Sequence, residues 1–187
     1  QGMPMLAVSL DEVRARLEAL DWVARASVQR RFPGHVHLVI EERTPFALWQ
    51  RGGRFAVIDR QGRVILRDGV ERFAHLPLVV GEGAAERAEA LLGLLDAYPE
   101  VRRRTTAAVR VNGRRWNLRL DSGADVLLPE GHEAAALERL IALHHETQVL
   151  DRALVALDLR LPDRMVLRPA PLPPEEPEPA PQRRTRG

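Results

Sequence analysis

The chain has 187 residues, room for one ordinary domain or two small ones, and its 45% hydrophobic content is the globular norm. Twenty-eight arginines and no lysine stand against 26 acidic residues, a formal net charge of +2; the two signs are mixed along most of the chain, which argues against a basic face for nucleic acid. Aromatics make up 4% and cysteine is absent, which disfavours base-stacking surfaces and excludes disulfide frameworks and thiolate chemistry.

Ser9-Leu10-Asp11-Glu12 has the form of a capping box, and Leu10, Val13, Leu17 and Leu20 follow at helical spacing, predicting a short helix over Asp11–Leu20. Trp22–Arg31 and His35–Arg43 alternate as strands around Phe32-Pro33-Gly34, a hairpin. Thr44-Pro45 interrupts the pattern and marks a boundary, since proline donates nothing to a ladder. Beyond it Phe46–Gln50, Arg54–Asp59 and Arg63–Leu66 read as short strands, and His75–Gly81 as an extended apolar segment. Ala84–Tyr98 is predicted helical, with Ala88, Leu91, Leu92 and Leu95 on one side and Pro99 as its stop. Strands follow at Ala107–Val111, Arg115–Asp121 and Asp125–Pro129, then a helix over Gly131–Val149, then a last pair at Ala153–Leu161 and Arg164–Arg168. This order predicts an α+β fold: a helix plus β-hairpin, then an antiparallel β domain with two helices on one face. A strand that comes last often lies at a sheet edge, where bare backbone is a hazard or a docking site. The remaining proline-rich tail has too little apolar material to fold.

Catalytic constellations are not evident. His132, His144 and His145 are the richest ligand types, but His144 and His145 are adjacent, about 100° apart on a helix, and solvated helix-end histidines are the expected state. His35 and His37 are expected as exposed strand residues. The serines Ser9, Ser27 and Ser122 lie in no nucleophile elbow, and Arg51-Gly52-Gly53 leads into a strand where an anion loop would open a helix. No enzyme, cofactor or metal is expected.

Leu17–Trp49, LEALDWVARASVQRRFPGHVHLVIEERTPFALW, resembles the second half of the POTRA domain of the FtsQ/DivIB cell-division family. FAVIDRQGRVI (Phe55–Ile65), LPLVVGEGA (Leu76–Ala84), RRWNLRLDSG (Arg114–Gly123) and ALDLRLPDR (Ala156–Arg164) follow that family's β domain in order, most like its alphaproteobacterial branch. The resemblance implies residues 1–44 as the C-terminal part of a POTRA domain, 45–168 as the β domain and 169–187 as a disordered tail. It also implies a non-enzymatic divisome scaffold, anchored in the inner membrane by one helix that precedes the chain. This region would then be periplasmic and enriched at the septum. The implied partners are FtsB and FtsL, with other septal cell-wall synthesis components possible, and the last β-domain strand is the docking edge. By position, Arg160 and Arg114 match partner-contacting arginines, and Leu161, Arg164 and Val166 complete the expected contact set. Leu161 stands where relatives carry a tyrosine. The alternative reading is a periplasmic chaperone-like POTRA module that takes client strands by β-addition.

Overall fold

The structure, a computed structural model, describes residues 9–171; the first eight residues of the expected POTRA unit and most of the tail expected to be disordered lie outside the described residues. Helix α1 (Leu10–Glu18) starts at Ser9, whose Oγ accepts from the Glu12 N–H at 3.3 Å, and strands β1 (Val23–Arg31) and β2 (His35–Glu42) form a separate two-stranded sheet. α1 leans on β1, and the Glu18 carboxylate accepts from the Ala26 N–H. Little is buried here: Val23 and Ala26 are covered, but α1 buries none of its residues and every residue of β2 is exposed.

The other strands are β3 (Ala47–Arg51), β4 (Arg54–Ile58), β5 (Val64–Leu66), β6 (Leu78–Val80), β7 (Thr105–Val111), β8 (Arg115–Leu120), β9 (Asp125–Leu127), β10 (Leu154–Asp158) and β11 (Val166–Pro169). They form one sheet in the order β11-β10-β9-β8-β7-β6-β3-β4-β5. The α+β expectation holds, but the sheet is mixed rather than antiparallel, because β3–β6, β6–β7 and β9–β10 run parallel. Two of these ladders have a helical crossover. α2 (Ala88–Asp96) and α3 (Pro99–Arg104) link β6 to β7, and α4 (Glu133–Thr147) links β9 to β10. Parallel neighbours need a long crossover, usually a helix; β3 and β6 are instead joined through β4 and β5. Pro99, expected as a stop, instead opens α3 as its first residue, where its missing N–H costs nothing.

Leu91, Leu92 and Leu95 of α2 and Leu137 and Leu140 of α4 pack with Val79, Leu118, Val126, Leu128, Leu157 and Leu159 in one core. Each fully buried leucine contributes roughly 1.5–3 kcal/mol by leaving water. Trp49 closes one side, its Nε1–H donating to the Gly81 carbonyl at 2.9 Å.

The two sheets are joined by a buried ion pair. Arg43, just after β2, reaches Asp59, just after β4, at 2.8 Å; the other carboxylate oxygen accepts the Arg63 N–H at 2.8 Å. The side chains are 10% and 4% exposed.

Candidate partner-binding edge

Among the described residues β11 is the outermost strand of the large sheet, paired with β10 alone. Asp158 faces Val166, Leu157 faces Leu167 and Ala156 faces Arg168, with an irregularity between Leu154 and Ala156. The Ala170 N–H donates to Ala153 O at 3.0 Å, so pairing continues past the strand's nominal end. Backbone groups alternate sides along a strand, so Ala170 facing inward places Arg168 and Val166 inward too. Leu167 and Pro169 then face out. The free edge offers the N–H and C=O of Leu167 and the carbonyl of Pro169, whose missing N–H suits an edge position.

Four of the five expected contact residues lie on this one stretch. Val166 is half exposed with its backbone turned to β10, and Leu161 and Arg164 sit in the exposed β10–β11 loop. Arg160 is already engaged. Its Nε and a terminal nitrogen donate to the two oxygens of Asp158 at 2.8 and 2.5 Å, and its backbone N–H adds a third contact at 3.1 Å. This guanidinium holds the Asp158 carboxyl below its ordinary range. Any partner carboxylate must compete with Asp158, so Asp158→Asn is expected to free Arg160. An exposed pair is worth about 0.2–1 kcal/mol, so partner affinity should rise by up to about fivefold, readable by calorimetric titration.

The fifth residue, Arg114, sits in the β7–β8 turn, where its N–H donates to Val111 O at 3.1 Å. Asn117 pairs with Leu127 and Leu127 with Asp158, which places Arg114 and Arg160 at the same end of the sheet, two strand spacings or roughly 10 Å apart across it. Arg110 stiffens that turn by lying 5.1 Å over the Trp116 ring while its Nε donates to Gly113 O. The side chain of Arg114 has no partner among the described residues and lines an open cleft with Arg87 and Trp116.

The histidines gather differently from expectation. His144 is buried, not solvated: its Nδ1 accepts the Leu150 N–H at 3.3 Å and its Nε2 lies 3.4 Å from Glu100. Exposed His145 meets the same carboxylate at 3.0 Å, and that hydrogen bond, before all else, lowers the Glu100 pKa. His132 stands at the other end of α4. Among the described residues no group of three or more metal-ligating side chains converges. Arg139 of α4, which sequence patterning did not single out, donates to the Leu159, Leu161 and Pro162 carbonyls of the β10–β11 loop.

The family profile described as cell division protein FtsQ/DivIB, C-terminal, matches residues 47–160, and that of the FtsQ-type POTRA domain matches residues 1–43. The chain belongs to the FtsQ/DivIB cell-division family. It is 45% identical over 163 residues to the cell division protein FtsQ of Bradyrhizobium diazoefficiens, covering 87% of this chain and 48% of that one. With FtsQ of Caulobacter vibrioides the identity is 41% over 166 residues, covering 89% and 55%. The chain spans about half the length of these curated relatives. The major extracytoplasmic domain of DivIB from Geobacillus stearothermophilus matches with a TM-score of 0.39 and 17% identity, covering 58% of this chain and 96% of that one. No helix among the described residues is long and apolar enough to cross a membrane.

Proposed function

We propose that this chain is the periplasmic part of a bitopic inner-membrane divisome scaffold, without catalytic activity, and that a segment of FtsB, with FtsL, adds to β11 as a further strand. Membership of the family supports the divisome role. The observation that carries the docking mode is the free edge of β11, with Leu167 presenting both backbone groups outward and Arg160 at the head of the loop. Backbone pairing supplies affinity in such addition, and flanking charges supply selectivity and on-rate.

Titration of the chain with the periplasmic segment of FtsB from the same organism tests this. Leu167→Pro deletes an outward N–H while leaving the β10–β11 ladder its inward bonds. An unmade buried hydrogen bond costs about 1–3 kcal/mol, so affinity should fall roughly 5- to 150-fold in a variant with an unchanged far-ultraviolet spectrum. Arg160→Glu should weaken binding and flatten its salt dependence. Full affinity in folded Leu167→Pro would sink the strand-addition mode. Absence of wild-type binding, together with capture of unfolded outer-membrane strands, would favour the chaperone-like alternative.

A further inference from the structure

We infer that Arg139 is the positioning residue for the docking edge: its guanidinium clasps the β10–β11 loop and thereby fixes β11 for a partner strand, an inference that rests on the edge-docking reading. The loop between Asp158 and Val166 makes few bonds of its own. Leu159 N–H still reaches Leu127 O at 3.0 Å, and Arg160 turns back on Asp158. The Leu159, Leu161 and Pro162 carbonyls meet the two terminal nitrogens of Arg139: one reaches Leu161 O at 3.3 Å and also Pro162 O, the other reaches Leu159 O and Leu161 O, both at 3.4 Å. No carboxylate among the described residues pairs with Arg139, so its hydrogen bonds go to this loop. It projects from a rigid base, because its neighbours Leu137 and Leu140 are fully buried beneath α4.

The geometry has a purpose that stability alone does not supply. Two of the three clasped carbonyls, those of Leu161 and Pro162, lie on exposed residues and could bond to water instead, so their contacts add little to global stability; only the Leu159 carbonyl sits on a buried residue. What they remove is freedom. β11 has four residues and one neighbouring strand, and an edge that frays or slips must be ordered when a partner docks, at the expense of affinity. A planar fork can span three carbonyls at once. A lysine ammonium, a point donor on a flexible stem, cannot hold all three in one geometry.

Hydrogen–deuterium exchange on the free chain, read at residues 164–168, is compared for wild type, Arg139→Ala and Arg139→Lys, with Arg104→Ala, which removes the Arg104–Asp151 pair at 2.5 Å, as a control for lost ion pairing elsewhere. We expect both Arg139 variants to exchange about tenfold faster there with little change in melting temperature, and the control to leave those amides unchanged. Both Arg139 variants should also bind the FtsB segment about 3- to 10-fold more weakly, chiefly through faster dissociation. Unchanged exchange in both variants overturns the clasp, whatever the partner does. Faster exchange with full affinity overturns the positioning role, while Leu167→Pro still decides the docking mode. Rescue of exchange and affinity by lysine overturns the requirement for a fork.

Discussion

Asp59→Ala is expected to be among the most damaging single substitutions in the chain, lowering stability by about 3–5 kcal/mol, because removing one partner of a buried ion pair strands the other. Arg43 would keep a guanidinium in a site only 10% exposed with no carboxylate to meet it, and the Arg63 N–H would lose its acceptor. The damage has a direction. Arg43 closes the segment after β2 and Asp59 the segment after β4, so the pair ties the small sheet to the large one. Urea denaturation should show the loss, and small-angle scattering should show a wider distribution of shapes under conditions where the large sheet remains folded. Asp59→Asn, which keeps an acceptor for Arg63 but not the charge, should fall between. A double replacement by apolar residues of similar volume should recover most of the stability, since well-packed hydrophobic substitutes often match buried ion pairs. Wild-type stability in Asp59→Ala would show that the pair contributes nothing net.

Gly62→Ala should destabilise on two independent grounds. Gly62 has φ +78°, a left-handed conformation that costs a residue with a Cβ roughly 1–2 kcal/mol. An added Cβ would also lie 2.6 Å from the Ala85 carbonyl oxygen and 2.9 Å from the Glu86 Cα. Backbone on that side cannot swing away as a flexible side chain can, so the start of the α2 region must move, adding about 1–3 kcal/mol. Thermal melts read the sum. Gly52→Ala is the informative control, because Gly52 shares the positive φ but meets nothing within 4 Å, so it isolates the conformational cost.

Much of this architecture was legible in short-range pattern. Ser9 capped its helix as the sequence implied, and Ala88, Leu91, Leu92 and Leu95 all turned inward. The misreadings have a common physical origin. Asn112-Gly113 and Ser122-Gly123 advertise hairpins locally, whereas the parallel pairing of β6 with β7 and of β9 with β10 is carried by whole crossover helices and has no dipeptide signature. His144 looks solvated beside His145 until Val149–Asp151 folds back and delivers the Leu150 N–H to its ring. The arginine and aspartate that join the sheets lie inside ERTPFALW and FAVIDRQGRVI, but their pairing across 16 residues is a tertiary fact. Arg139 looks like any helix-surface arginine; only the returning loop, 20 to 23 residues on, gives it work.

Pro169 sets a limit on growth. β11 is four residues long and its last outward position carries no N–H, so a ladder built on it from outside has one complete rung at Leu167 and terminates at a dead end. Long, flat, fully bonded edges let copies of one sheet template each other into fibres. An edge truncated in this way is a poor seed for such stacking. Proline thus works as a stop against open-ended, copy-on-copy growth of the sheet.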